Sequence, residues 1–387
     1  MRVGVFFNEA GIPSAGGAFT QREAIVESLL QSKTQHEFFY FFYGKRPTGA
    51  ELPNCVPLKG KIFAWALKQI YHFTGISFFK KIIPLNIALK ENKIDLLYFV
   101  EPNFQPVIVP YVASVWDIAH LHVPFFPEMY NNEEWEKRET MYQRYLRKAS
   151  YVVASTNPSK KLISECYVVP EEKIKVIPTP IADVFFKNKI TNTAVCKKYS
   201  LPKDYFLYPA QLWPHKNHIS IIQALKRSNQ VYKRKIHVAF VGSDKGNRDY
   251  LETEANRLGV SNQVHFLGFV PSSDLIDLYK NAVGTLYVTF VNAEGLPPAE
   301  AFVLGCPVIA SNISCLTDQL SDAAILVNPL DSNELADAMV SLSTNCNLRK
   351  SLIKKGTLLA KKLHKEEFAK KIISLFDEFS VLKRRWA

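Results

Sequence analysis

Four short stretches of this chain hold residue types whose spacing could do chemistry on a charged, hydroxyl-rich molecule. In YVTFVNAEGLPPAEAFVLGCPVIAS (Tyr287 to Ser311), Glu300 follows a turn built from Gly295 and two prolines. A carboxylate there can accept hydrogen bonds from hydroxyls, or simply complement a helix dipole, as acids in first turns commonly do. In AQLWPHKNH, Lys216 stands where a helix begins, so its ammonium and free backbone amides could face one phosphate. A solvated lysine is the commoner use of that residue. In VWDIAHLHV, Asp117, His120 and His122 fall within six positions, the composition of a proton-transfer or sugar-contacting group. No third ligand group follows, so a metal is not expected. In GIPSAGGA, Gly16 and Gly17 allow backbone to approach a phosphate, and a plain turn is an equal reading.

Each stretch needs a strand to aim it. Arg2 to Asn8, His36 to Tyr43, Ile94 to Val100, Ala113 to Ile118 and Tyr151 to Ser155 are apolar runs of strand length. The rhythm restarts with Tyr205 to Pro209, Ile236 to Gly242, Val264 to Val270, the YVTF run, PVIAS, and Ala323 to Val327. Between them lie helical spacings, among them Phe19 to Ser32, His218 to Lys226 and Glu366 to Arg385. Strand, turn, helix, strand describes Tyr287 to Ser311 as well, with Glu300 in the first turn of its helix. Loops after the carboxyl ends of such strands are where open α/β sheets bind ligands.

GLPPAEAFVLGCPVIAS resembles the signature of the retaining glycosyltransferases of family 4, which have the GT-B fold. The likeness is patchy before Tyr151 and continuous from there to about Leu363. It implies two Rossmann-like domains facing across a cleft: residues 1–184 for the acceptor, 185–365 for a nucleotide-sugar donor, and a C-terminal helix, 366–387, returning to the first domain. The catalytic set implied is Asp117, His120, Lys216 and Glu300. The donor set adds Gly16, Gly17, Gln211, Phe269, Val270, Glu294, Gly295 and Leu296, with the turn at Phe269 and Val270 lining the base. The chain departs from the pattern in three places. Asn292 stands where the first of two glutamates is usual, with Glu294 two residues on; Gln211 replaces the companion arginine of Lys216; and Trp116 replaces a histidine before Asp117. The activity implied is metal-independent, retaining transfer of a hexose-type sugar in surface polysaccharide or lipopolysaccharide O-antigen assembly, mannosyl or rhamnosyl transfer included. No cofactor is implied beyond the nucleotide-diphosphate sugar. A sugar-nucleotide epimerase of the same fold and a pseudo-transferase that only binds are the rival readings, the latter resting on Gln211 and Asn292.

Length and composition agree with two α/β domains: 387 residues, 47% of them hydrophobic. Six scattered cysteines with no metal-ligand spacing fit a reduced, cytoplasmic protein without structural metal. MRVGVFFNEAG reads as a first strand, and no apolar run reaches the length of a membrane span. The net charge of +12 admits phosphate-bearing substrates, nucleic acid or an anionic membrane surface. Residues 59–93 concentrate it, with seven lysines, one glutamate and interleaved Phe63, Trp65, Tyr71, Phe73, Phe78 and Phe79. That mixture suits a helix lying on a bilayer, a nucleic-acid surface, or core aromatics with solvated lysines. No nucleic-acid motif accompanies the charge; the partners the resemblance implies are a nucleotide-sugar donor, a saccharide or lipid-linked acceptor, and peripheral contact with the inner face of a membrane.

Overall fold

The structure is a computed structural model, and it describes residues 1–7, 17–44, 51–187 and 193–385, apart from the side chain of Asn132. Gly16 and most of its loop lie outside these residues. The chain divides into two compact units, Met1–Ile118 with Glu136–Pro180 and Lys365–Ala387, and Ala119–Trp135 with Ile181–His364.

The first unit is built on seven parallel strands: β1 (Arg2–Phe7), β2 (Glu37–Tyr43), β3 (Cys55–Leu58), β4 (Leu96–Phe99), β5 (Tyr111–Ser114), β6 (Tyr151–Ala154) and β7 (Ile174–Val176). Their order is β3-β2-β1-β4-β5-β6-β7. The longer strands are near-continuous apolar runs rather than alternating, as in FFYFFY of β2, because helices cover both faces of a parallel sheet. The short β3 is not legible in the sequence, since Pro57 argues against a strand; it is tolerated at the sheet edge, where one side of the backbone needs no partner. Residues 59–93 form three helices, Lys61–Thr74, Ser77–Lys81 and Pro84–Glu91, rather than one. The C-terminal helix, Lys365–Lys383, buries Phe368, Ile372, Leu375, Phe376 and Phe379 among Val3, Val5, Tyr40 and Tyr98. Spacings of three and four put these five on one face, and their burial contributes on the order of 10 kcal/mol gross. Glu378 fixes the helix to the sheet by accepting from Tyr151 Oη at 2.8 Å and pairing with Lys175 at 3.0 Å.

The second unit has six parallel strands: β8 (Tyr205–Pro209), β9 (His237–Val241), β10 (Val264–Gly268), β11 (Gly284–Tyr287), β12 (Val308–Ser311) and β13 (Ala324–Val327). Their order is β10-β9-β8-β11-β12-β13, so direction along the sheet reverses between β8 and β11. Two expectations are corrected. YVTF is not the strand; β11 ends at Tyr287 and leaves Val288 to Glu294 as the turn that carries polar groups. Residues 183–200 include the helices Asp183–Lys187 and Ala194–Lys198, whose Phe185 and Val195 enter the core of this unit. Ala119–Trp135, placed by sequence in the first domain, also belongs here: Phe126 stacks on Phe290 at 5.7 Å between ring centroids.

Candidate active site

Reversal of strand order leaves a crevice outside the carboxyl ends of the two central strands, since their connections run to opposite sides. In the second unit those ends are Pro209 of β8 and Tyr287 of β11, and both turns hold residues singled out above.

The β8 turn reaches Lys216 through a short 3-10 turn, Pro214–Lys216, and then the helix His218–Val231, longer than the sequence suggested. Its path is set by buried side chains. Tyr208 Oη donates to the carbonyl of Lys216. Asn217, in the left-handed region at φ 60°, donates through Nδ2 to the carbonyls of Val288 (3.0 Å) and Pro329 (2.8 Å). Asparagine adopts that conformation more readily than most residues. The buried His218 stacks against Tyr208 and Phe240, and burial holds its imidazole down at about 3, so it is neutral at the helix start. His215 is tied to Glu128, whose Oε1 accepts the His215 backbone N–H at 3.0 Å and also contacts Nδ1. The His215 carbonyl accepts from Thr289 Oγ1 (3.0 Å) and from the Phe290 N–H (2.9 Å). The turn is therefore fixed on both sides before any ligand arrives. Sequence reading missed Glu128, which lies 87 residues from its partner.

The Lys216 ammonium lies 5.5 Å from the centroid of the Tyr287 ring, a cation–π contact that orients it. Tyr287 Oη in turn accepts from Asn292 Nδ2 at 2.7 Å. The same Nδ2 donates to the carbonyl of Glu294. Tyr287 thus joins the lysine of one turn to the asparagine of the other, a role that its place inside an apolar run concealed. Asn292, where the resemblance implies a carboxylate, serves as a brace within the turn. Gln211 is likewise engaged: its Nε2 donates to Ser243 Oγ (3.1 Å) and its Oε1 accepts from Trp213 Nε1 (3.0 Å). The Lys245 ammonium lies over Trp213 at 5.3 Å. Gly242 lets these segments close, because a Cβ there would stand 2.4 Å from the Ala210 carbonyl oxygen.

The helix after the second turn is Leu296–Val303. It starts early because Pro297 and Pro298 fit a first turn, where no amide donor is required. Glu300 is therefore in the body of the helix and not in its first turn, which removes the dipole explanation for its presence. It is buried, 8% exposed, and accepts from Tyr279 Oη at 2.8 Å. Burial raises its pKa from 4.5 to about 7, against the opposing pull of the Tyr279 hydrogen bond. The Gly295 peptide is held at both ends by Gln319, which accepts from its N–H (2.7 Å) and donates to its carbonyl (3.0 Å). The amide of Gly295, a residue of the implied donor set, is thus committed inside the protein. Glu294 and Leu296 flank it, half-buried. Phe269, half exposed, and the buried Val270 follow β10 at the same edge of the sheet.

The remaining expected residues divide between the units. Asp117, in the first, pairs with Arg138 at 2.8 Å, and its carbonyl accepts from Tyr142 Oη at 3.0 Å. His120, in the second, is fully buried in the short helix Ala119–His122 with its ring edge-on to Trp135. An imidazole in that setting is a core residue and offers no face to a sugar, which corrects the expectation. Gly17 opens the first helix of the first unit, Gly17–Leu30. There the sequence also missed Arg22, buried and bonded to Glu101 at 2.9 Å, a pair that bridges the segments following β1 and β4. Among the described residues no group of three His, Cys, Asp or Glu could hold a metal ion.

Comparison with known proteins agrees with this architecture. Residues 197–359 match the family model of glycosyl transferases group 1. The chain is 28% identical over 212 residues to the O-antigen chain mannosyltransferase RfbU of Salmonella typhimurium, covering 53% of this chain and 55% of that protein. It is 24% identical over 254 residues to O-antigen chain mannosyltransferase B of Escherichia coli, covering 65% and 66%. These matches thus span less than two thirds of each relative's length. Among solved structures, sucrose-phosphate synthase from Thermosynechococcus elongatus superposes with a TM-score of 0.73 at 15% identity, over 98% of this chain and 99% of that one. WaaG, a glycosyltransferase involved in lipopolysaccharide biosynthesis, superposes with a TM-score of 0.69 at 17% identity, over 96% and 99%. Through residues 197–359 the chain matches the group 1 glycosyl transferases, and its two parallel sheets have the α/β GT-B fold.

Proposed function

We propose that this protein is a retaining glycosyltransferase that moves a hexose-type sugar, mannose by preference, from a nucleotide-diphosphate sugar to a growing surface saccharide. One observation carries the reading. At the strand-order reversal of the second sheet, a turn fixed on both sides presents Lys216 against Tyr287, while the buried Glu300 stands on the helix that follows the adjoining turn. Lys216 neutralises charge on the leaving diphosphate, and a preorganised cation does so without reorganising as the bond breaks. Glu300 binds donor hydroxyls. Asp117 lies toward the acceptor, and no metal is required. The names of the O-antigen mannosyltransferase relatives support the choice of sugar and pathway.

Melting temperatures measured against UDP-, GDP-, ADP- and dTDP-sugars test the donor. Binding at about 100 times the dissociation constant adds roughly 2.7 kcal/mol. A shift with one base, lost in both Lys216→Ala and Glu300→Ala, supports the site; no shift with any donor overturns it. The anomeric configuration of the product, read by NMR, separates retention from inversion, and activity in EDTA tests metal independence. A pseudo-transferase is the second reading, favoured by the internal use of Gln211 and Asn292, and it predicts a donor shift without turnover. Conversion of donor without acceptor would mark an epimerase.

The same reading places the protein on the inner membrane surface through residues 59–93. No helix of the described residues is long and apolar enough to cross a membrane. The helix Lys61–Thr74 nevertheless exposes Ile62, Phe63, Trp65 and Phe73, a face suited to the headgroup boundary. Indifference to anionic vesicles at low salt would remove this part.

A further inference from the structure

A cavity of about 480 Å³ opens in the first unit, lined by Tyr71, His72, Lys80, Arg144, Tyr145 and Lys148 and walled by residues 106–111. Pro110 and Tyr111 enter β5 and Lys148 precedes β6, so the cavity is at the amino ends of these strands. Asp117 follows the carboxyl end of β5, at the opposite edge of the sheet.

The walls are fixed by buried bonds. Asn86, fully buried, donates to the carbonyls of Lys80 (2.7 Å) and Pro106 (2.8 Å) and accepts the N–H of Ile108 (3.0 Å). Tyr145 Oη bonds to His72 Nε2 at 2.9 Å, and Tyr111 Oη donates to the Tyr145 carbonyl at 2.6 Å. Lys68 Nζ, behind the cavity, donates to the Phe104 carbonyl at 2.9 Å and lies over the Tyr145 ring.

Charge here is all of one sign. Among the described residues, Lys68, Lys80, Arg144 and Lys148 make no ion pair with a carboxylate. They act on one another: burial, then Arg144, lowers Lys68 to about 8. Burial, then Arg144, Lys68 and Lys148, holds His72 down at about 4. Uncompensated cations grouped around a polar cavity destabilise the empty protein, and an anion seated among them relieves that cost. The surroundings say which anion. Phe73, 94% exposed, lies in the chain between His72 and Gly75, both at the cavity, and Ile76, Phe78 and Ile108 are exposed nearby. A dissolved anion gains nothing from exposed aromatics, whereas an amphiphile uses both features.

We propose that this cavity seats the phosphate headgroup of a membrane lipid, with the exposed face of Lys61–Thr74 against its acyl region. The proposal rests on the membrane-facing reading of residues 59–93. The test is sedimentation of the full-length protein with vesicles of phosphatidylglycerol in phosphatidylcholine, compared with phosphatidylcholine alone. Each basic residue near an anionic surface strengthens binding roughly fivefold. Arg144→Gln/Lys148→Gln should therefore weaken partition by at least about tenfold, with a melting temperature no lower than that of the wild type. Lys33→Gln/Lys371→Gln, which removes equal charge from exposed positions of the same unit outside residues 59–93, should change it by less than about threefold. Equal losses in the two variants would mean diffuse attraction and overturn the cavity. Trp65→Ser/Phe73→Ser should also lower partition; if it does while the Arg144/Lys148 variant binds normally, the membrane reading stands and the cavity fails. If the wild-type protein ignores the vesicles, both fall. Inorganic phosphate that raises the melting temperature of wild type but not of the Arg144/Lys148 variant, with no vesicle binding, would assign the cavity to a free anion and overturn the lipid.

Discussion

Lys216 in the second unit and the cavity of the first unit hold positive charge on opposite plans. At Lys216 a single ammonium is placed by its surroundings: Tyr287 beneath it, Tyr208 on its carbonyl, Asn217 and the Glu128–His215 pair fixing the turn around it. At the cavity of the first unit, several cations share one space with no carboxylate partner among the described residues, and only the walls are fixed. The first plan gives direction, which the proposed cleavage of one bond between an anomeric carbon and a diphosphate oxygen demands. The second gives attraction, which a headgroup free to rotate at a surface requires. Number of cations and precision of placement are thus traded between the two units.

The sharpest test of this contrast is Lys216→Ala. It should lower the turnover of the donor by about 10³-fold, the scale of roughly 4 kcal/mol seen when one preorganised charge-stabilising group is removed, and leave vesicle binding unchanged. Equal effects on both would erase the distinction. Glu300→Gln probes the other half of the site by pH. Folded Glu300 stands at about 7 and an exposed carboxyl at 4.5, so the stability contributed by its protonated form is full below 4.5 and is lost as pH rises to about 7. That difference corresponds to roughly 3 kcal/mol. Urea unfolding at pH 4.5 and pH 8 should show Glu300→Gln gaining on wild type by about that amount at the higher pH. A pH-independent difference would mean that the Glu300 carboxyl titrates in the native protein as it does in the unfolded chain.

Asn217→Ala asks whether the turn is fixed in advance. It strips a partner from the carbonyls of Val288 and Pro329 and puts alanine at φ 60°, so stability should fall by about 2 to 3 kcal/mol in chemical denaturation. Donor affinity should fall with it; a normal affinity would show that ligand, not protein, orders the turn. Tyr279→Phe is the mildest change. Loss of its hydrogen bond should carry the pH window of Glu300 upward by roughly half to one pH unit, read in the same unfolding series.

What could be read from the sequence was whatever neighbours along the chain decide. Continuous apolar runs bounded by breakers marked the parallel strands, and the two rounds of strand and helix marked two sheets. Lys216 and Glu300 were visible because each follows a strand of that rhythm by a fixed, short distance. What could not be read depends on which distant segments touch. Glu128 reaches His215 across 87 positions, and Tyr151 reaches Glu378 across 227. His120 looked reactive beside Asp117, yet tertiary packing buries its ring against Trp135 and assigns the two residues to different units. The Gly295 amide looked available until Gln319 folded onto it. Residue type and spacing settle what a side chain can do, because those are covalent facts. Burial and partners settle what it does, because desolvation and hydrogen bonding are properties of the space around it, and the packed fold creates that space.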